Sequence, residues 1–133
     1  MSPSLFLLFR PLLFRPRLAN ATSLAYYSCM RFIETSVFSK QVEKYLSDVS
    51  YRMLQSLLMF RPNAGAVIRS SGGLRKVRWQ QPGSGKRGGF RVLYFWDSPE
   101  TIYMVFMYKK TDQDDLTPDQ LKVLKSLVKE RLL

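Results

Sequence analysis

The chain has 133 residues and is strongly basic, with 21 Lys and Arg against 10 Asp and Glu and a formal net charge of +11. This length suits one domain with a single core, and the charge favours an anionic partner such as nucleic acid, an acidic protein or an anionic membrane. Because the sequence has no His and only one Cys, Cys29, one chain cannot form a disulfide framework, a Cys/His zinc site or a His-activated nucleophile.

Residues 1–29 differ in composition from the rest. They contain three Arg, three Pro and no acidic residue, and from Leu7 the pentapeptide Leu-Leu-Phe-Arg-Pro occurs twice in succession. A five-residue period fits neither a helix nor a strand, and Pro11 and Pro16 would interrupt a helix. Neither a signal peptide nor a membrane span fits this pattern. We predict a disordered or not natively translated extension, with a transit peptide as the alternative, ahead of a domain over residues 30–133.

A strand and two helices are predicted at the start of this domain. The β-branched and aromatic content of Arg31–Thr35 favours a strand, after which Ser36 can cap a helix. Apolar residues then recur at helical spacing, and Ser47 with Asp48 provides a break and a fresh cap. The second helix should end before Pro62. The two short helices are expected to form a hairpin.

The rest of the chain predicts a sheet and a last helix. Four strands are indicated by alternating or apolar runs: Ala66–Ser70, Leu74–Gln80, Phe90–Trp96 and Thr101–Tyr108. The last two should form the centre of the sheet, and Gln81–Gly89, with four Gly, should be a mobile basic loop. Thr117–Gln120 is a capping box that predicts a helix over about 118–131. The expected fold is α+β, with a small antiparallel sheet packed against the N-terminal helical hairpin and the C-terminal helix.

Positive charge is concentrated between Arg69 and Lys110, where nine Lys or Arg accompany two acidic residues. Lys76 and Arg78 lie two residues apart on one predicted strand, so both side chains should emerge on the same face and could bind one phosphate. Ordinary surface cations on a solvated face are the alternative. Arg91 lies within an apolar run, so it should either reach water at the sheet margin or be held by an anion.

Several aromatic residues follow on the predicted strands. They are Tyr94, Trp96, Tyr103 and Tyr108. Such rings can stack on the bases of single-stranded nucleic acid, and packing in the core is the alternative for most of them. Tyr108 is the best candidate for stacking, because it precedes Lys109 and Lys110 at the end of a strand.

Acidic residues cluster before the last helix, at Asp112, Asp114 and Asp115. They lack the Gly and the terminal Glu of a calcium-binding loop. The pattern therefore predicts a solvated loop, and no metal site is expected.

Two glycine-rich basic segments, Gly72–Arg78 and Gly85–Phe95, resemble the signature of RelE/HigB-type toxins, especially the HigB branch. The stretch from Tyr108 through the acidic loop to the last helix is similar to the end of that family, so the resemblance covers about residues 31–133. It implies a cytoplasmic toxin without metal or cofactor, a ribosome-dependent endoribonuclease. Such a toxin enters the ribosomal A site and cuts messenger RNA by attack of a ribose 2′-hydroxyl on the adjacent phosphate. The implied partners are messenger RNA, ribosomal RNA and an antitoxin of the helix-turn-helix class, with no membrane.

The resemblance also implies catalytic residues. By position, Lys76 and Arg78 match paired basic residues on a core strand, Arg91 matches the Arg of a Gly-aromatic-Arg strand, and Lys110 matches a basic residue after the last strand. Their implied roles are to deprotonate the 2′-hydroxyl and to neutralise the pentacoordinate phosphate. Lys76 is the preferred base, because the nearby cations of Arg78 and Arg91 would favour its neutral form.

Further residues are predicted to bind RNA: Arg75, Lys86, Arg87, Tyr94, Tyr108 and Lys109. The sequence departs from the family in one respect, since no aromatic residue follows Tyr108 where well-studied members have a Tyr or His. Either Tyr108 takes the place of that residue, or catalysis is weaker than in those members. Two alternatives stay open: a non-catalytic RNA- or ribosome-binding module on the same scaffold, and a protein-interaction domain whose basic face binds an acidic partner.

Overall fold

The computed structural model describes residues 9–14, 30–81, 89–97 and 99–132. The strands in these residues are β1 (Phe9–Phe14), β2 (Met30–Thr35), β3 (Ala66–Val67), β4 (Arg75–Trp79), β5 (Phe90–Asp97) and β6 (Thr101–Lys109). The helices are α1 (Ser36–Tyr45), α2 (Asp48–Phe60) and α3 (Pro118–Leu132). Every element predicted after residue 29 is present, and the ends differ by no more than a few residues.

The strands form one mixed sheet in the order β1-β2-β6-β5-β4-β3. The predicted α+β class is confirmed, and β5 and β6 lie in the interior of the sheet as expected. Neighbouring strands are antiparallel except for β2 and β6, where Arg31–Glu34 runs parallel to Thr101–Met104. The expectation of an antiparallel sheet fails at this pair, because the helical hairpin and three strands return the chain to β6 in the direction of β2. A parallel pair requires a long connection of this kind.

Strand β1 lies in the segment that was expected to lack regular structure. It pairs antiparallel with β2, with Phe9 opposite Thr35 and Phe14 opposite Met30. The structure differs here from the expectation, because pairing at a sheet edge needs only an extended backbone and tolerates a proline such as Pro11. The domain boundary at residue 30 stays a prediction, and the other residues of 1–29 lie outside the described part of the chain.

Helices α1 and α2 form the predicted hairpin, and a side chain caps each of them. Thr35 caps α1, since its Oγ1 accepts a hydrogen bond of 3.0 Å from the backbone N of Phe38. The sequence had indicated Ser36, which is instead the first helical residue. Ser47 caps α2 as predicted, with its Oγ 3.1 Å from a backbone N of the first turn. These bonds satisfy donors that a helix start leaves unpaired.

The helical hairpin packs on one face of the sheet. Its core brings together Phe32 of β2, Phe38 of α1, Leu54 and Leu58 of α2, and Val92 of β5, all of them buried. Each such side chain contributes roughly 1.5–3 kcal/mol when it leaves water. This packing fixes the hairpin over the interior strands.

Helix α3 packs on the opposite face. It begins with the predicted capping box, in which Thr117 and Gln120 exchange two hydrogen bonds of 3.1 Å. Leu124 and Val128 then belong to a second core with Leu93 of β5. Among the described helices, none has the length and apolar composition to span a bilayer.

A buried carboxylate links β2 to the helical hairpin. Glu34 accepts hydrogen bonds from Ser39 Oγ at 2.7 Å and from the hydroxyl of Tyr51. Buried charge requires such partners. Burial first, and the Glu34 carboxylate second, raise the pKa of Tyr51 well above its ordinary value.

Candidate active site

Strands β4 and β5 carry basic side chains, and β6 carries Tyr108, on the face that α3 partly covers. Lys76 and Arg78 both project from this face, because Val77 between them is buried in the core under the helical hairpin. The predicted shared face is therefore confirmed. Lys76 is half-buried and Arg78 is exposed. We call the surface formed by Lys76, Arg78, Arg91 and Tyr108 the basic face.

Three of these residues form a row across neighbouring strands. Arg78 pairs with Arg91, and Arg91 pairs with Tyr108. Residues that pair in this way have Cβ atoms about 4.5–5.5 Å apart and point to the same side of the sheet. Lys76 lies beside the row, opposite Leu93. Because two like charges directly opposite each other are destabilising, an anion bound between the two Arg side chains would be favoured.

A β-bulge in β6 places Tyr108 on the basic face. The partners of two consecutive β5 residues are Phe106 and Met104, so Val105 between them has no partner on β5. Met104 contacts the core under the hairpin, and strict alternation would place Phe106 and Tyr108 on that same side. The bulge shifts the alternation by one residue. As a result, Phe106 packs in the core under α3 and Tyr108 lies beside Arg91.

Arg91 has the feature most indicative of an anion site. Its Nη1 is buried and makes no hydrogen bond with the described residues. An unpaired buried donor costs about 1–3 kcal/mol, and more when it is charged. Gly89 lies next to this nitrogen, since a Cβ built there would lie 3.8 Å from Nη1 of Arg91. The Arg91 guanidinium therefore has an unused N–H donor, and a phosphate oxygen could accept a hydrogen bond from it.

Asp115, in the loop between β6 and α3, brings a carboxylate onto the basic face. Its Oδ1 lies 3.2 Å from Lys76 Nζ and 3.5 Å from the Tyr108 hydroxyl. The same oxygen accepts a hydrogen bond of 2.8 Å from the backbone N of Leu116. The Leu116 N–H and then the Lys76 ammonium hold the pKa of Asp115 below its ordinary value. Asp115 is therefore ionised at neutral pH.

Tyr108 keeps its proton at neutral pH. Burial is the main cause that raises its pKa, the Asp115 carboxylate raises it further, and Arg91 opposes both. The residue is only 5% exposed, so its ring has no free surface on which a base could stack. The predicted stacking role is wrong for this reason, and the hydroxyl is the part of Tyr108 that can act, as a donor.

Arg75 and Tyr94, both predicted to bind RNA, lie on the face under the helical hairpin. Tyr94 is fully buried, and its hydroxyl donates to Pro62 O at 2.6 Å and accepts from Gly65 N at 2.8 Å. Arg75 donates to Gly65 O at 2.8 Å. The alternation that puts Lys76 on the basic face turns Arg75 away from it. The core-packing alternative is therefore confirmed for Tyr94, and Arg75 anchors the loop before β3.

The remaining predicted residues lie at the margin of the basic face or beyond it. Lys109 points to the opposite face, where its Nζ lies 4.8 Å from the centre of the Tyr45 ring. Lys110 is exposed, and its backbone N extends the pairing of β6 with β5 by one hydrogen bond of 3.1 Å. Lys86 and Arg87 lie outside the described residues, so their roles stay predictions.

The groups of the basic face that could act on a bound ligand are positively charged side chains and one hydroxyl. The described ranges contain no group of three His, Cys, Asp or Glu side chains that could hold a metal ion. The basic face can bind phosphate through Lys76, Arg78 and Arg91, and it can donate a hydrogen bond from Tyr108. These are the interactions that a phosphate needs when negative charge develops on its oxygens.

Asp115 belongs to the site, a role that was not predicted from the sequence. The predicted solvated loop agrees with the exposure of Asp115, whose side chain is 70% exposed. Its contact with Lys76 joins residues 39 positions apart, and no local pattern encodes such a contact. The only signal in the sequence was a carboxylate shortly after a strand that ends beside other basic residues.

The order of elements and the basic face agree with a match to a known family. A family model described as the RelE toxin of the RelE/RelB toxin-antitoxin system matches residues 30–132. Toxins of this family are generally mRNA interferases that are paired with an antitoxin. The matched range starts at the first residue of β2 and includes the whole basic face. The chain therefore belongs to the RelE toxin family.

Proposed function

We propose that this chain is a HigB-like toxin that binds in the ribosomal A site and cuts messenger RNA on its basic face. The proposed reaction is attack of a ribose 2′-hydroxyl on the adjacent phosphate, which releases the 5′-oxygen of the next nucleotide. The observation that carries this proposal is the row of Arg78, Arg91 and Tyr108, in which Arg91 has a buried nitrogen without a partner in the described chain. The arrangement fits one phosphate and needs neither a metal nor a His.

Each group of the basic face has a role in this reaction. Arg91 and Arg78 neutralise the charge that grows on the phosphate oxygens, and the protonated hydroxyl of Tyr108 donates a hydrogen bond or a proton. Lys76, beside the row, and Lys110, after β6, add positive charge. The role of Lys76 as the base stays a prediction, and in the free protein its ammonium group is paired with Asp115.

The proposed partners follow from the family and the charge. Messenger RNA and ribosomal RNA would contact the basic face, and an antitoxin of the helix-turn-helix class would block it. The simplest inhibitor of a cationic site is an acidic or apolar segment that covers it. The site of action would be the cytoplasm, where translating ribosomes are found.

The test is cleavage of a message in a translating extract by Lys76→Ala and Arg91→Ala. Each substitution removes a cation that acts mainly in the transition state, so we expect the cleavage rate to fall about a hundredfold to a thousandfold. Lys109→Ala is the matched control, because it removes the same charge from a neighbouring position on the opposite face. Its rate should stay within a few-fold of the wild type.

Measurements of melting temperature and ribosome binding distinguish a structural role of these residues from a catalytic one. Arg91→Ala and Lys76→Ala variants that melt far below the wild type would indicate structural residues and a misplaced site. Variants that fold, bind and cleave normally would refute the assigned roles. If the wild type binds ribosomes and leaves the message intact, the chain is the non-catalytic RNA- or ribosome-binding module instead. Binding to an acidic protein alone would favour the protein-interaction alternative.

A further inference from the structure

Asp115 places a negative charge where the proposed function requires a substrate phosphate. Its Oδ1 contacts Lys76 on β4 and Tyr108 on β6, and these two strands flank β5. Adjacent strands are about 4.8 Å apart, so the Lys76 and Tyr108 side chains reach this oxygen from the two sides of β5. Arg91 is the β5 residue paired with Tyr108. The carboxylate thus contacts Tyr108, one member of the row, and Lys76, which lies beside the row.

We propose that the Asp115 carboxylate occupies part of the phosphate site in the free protein, so that an incoming phosphate must displace it from Lys76. This inference rests on the proposed function and deepens it, because it makes Asp115 a specificity-determining residue. An anion that contacts Lys76 alone has to compete with a tethered carboxylate. An RNA phosphate that also contacts Arg78 and Arg91 has further interactions with which to replace it.

The contact has the properties of a replaceable counter-ion. Both partners retain solvent access, with side chains 32% exposed for Lys76 and 70% exposed for Asp115. Exposed ion pairs of this kind are weak. The carboxylate is attached through its own backbone and through the Leu116 N–H, so it can turn away from Lys76 without unfolding α3. A ligand that makes several contacts with the basic face can therefore displace the carboxylate from Lys76. A ligand that makes only one contact competes with it poorly.

The experiment compares affinities for a short 2′-O-methyl oligoribonucleotide, which lacks the attacking hydroxyl, by fluorescence anisotropy. Asp115→Asn removes the charge and keeps an amide oxygen for the Leu116 N–H, and we expect about fivefold tighter binding, the effect of releasing Lys76 from one weak ion pair. Asp114→Asn is the matched control, since Asp114 is exposed and makes no ion pair with the described residues. It should change affinity less than about twofold.

A second comparison tests the dependence on Lys76. In a Lys76→Ala background, the additional Asp115→Asn substitution should give no more tightening than the Asp114→Asn control. Equal effects of Asp115→Asn and Asp114→Asn, or a gain that persists without Lys76, would overturn the inference, and so would a loss of affinity in Asp115→Asn.

Cleavage in a translating extract is measured with the same proteins, so the two proposals fail separately. Suppose that the wild type does not cut the message, and that Asp115→Asn still binds the oligoribonucleotide more tightly than Asp114→Asn. This result refutes the nuclease and supports Asp115 as a competitor for a bound phosphate. Cleavage by the wild type with no such difference refutes the inference alone. Equal melting temperatures for the Asp variants exclude a folding effect.

Discussion

Replacing Tyr94 with Phe separates a core role from an RNA-binding role. The substitution keeps the ring and removes a hydroxyl that donates to Pro62 O and accepts from Gly65 N. The Gly65 N–H is buried and would lose its partner, at a cost of about 1–3 kcal/mol, while the Pro62 carbonyl is partly buried and would lose less. We expect the free energy of unfolding to fall by about 2 kcal/mol. For a domain of this size, that corresponds to a melting temperature lower by roughly 7–9 °C.

The assay combines thermal melting with oligoribonucleotide binding at a temperature where both proteins are folded. Tyr94→Phe should melt early and bind RNA with unchanged affinity, since the ring is fully buried on the face away from Arg91. Tyr45→Phe is the control, because its hydroxyl makes no hydrogen bond with the described residues, and it should cost less than about 0.5 kcal/mol. An unchanged melting temperature together with weaker RNA binding would refute the reasoning and return Tyr94 to the RNA interface.

Three further predictions concern metals, the N-terminal segment and pH. Cleavage should persist when a chelator selective for zinc and other transition metals is added at constant Mg²⁺, and loss of activity that zinc restores would contradict the mechanism. A chain that starts at Met30 should arrest growth as strongly as the full chain, because β1 contacts the sheet through β2 and not through the basic face; a folded but harmless truncation would be the contrary result. Burial raises the pKa of Tyr51, Tyr94 and Tyr108 above 10.0, so the unfolded chain loses these protons at lower pH than the folded one. The free energy of unfolding should therefore fall as the pH rises above 10.0, and Tyr51→Phe should lessen that fall in melting experiments.

Local sequence signals predicted the elements well, because caps, turns and periodicity are local properties. Ser47 and the Thr117–Gln120 capping box define helix starts through side chains within three residues of the backbone groups they satisfy. The shared face of Lys76 and Arg78 followed from the pleat of one strand. These predictions needed no knowledge of how distant segments meet.

The pairing of β2 with β6 and the position of Asp115 were missed because they depend on contacts between distant segments. The parallel pairing of β2 with β6 depends on the path of the whole chain between them, and the contact of Asp115 with Lys76 depends on where the last loop crosses the sheet. Tyr94 and Arg75 were grouped with the basic residues because they are near them in sequence. The pleat of β4 already turns Arg75 away from Lys76, and the pairing of Arg75 with Tyr94 places both on the opposite face.

The unpaired Val105 in β6 makes the surface at Tyr108 depend on where the strand accommodates its extra residue. If β6 kept every residue and paired with β5 without the bulge, Phe106 and Tyr108 would both turn to the face under the helical hairpin, although every residue of the basic face would still be present in the sequence. Loss of Val105 itself would instead restore strict alternation and leave both side chains on their present faces. A relative with the same motif and a strand one residue shorter at this position can therefore carry the same basic face.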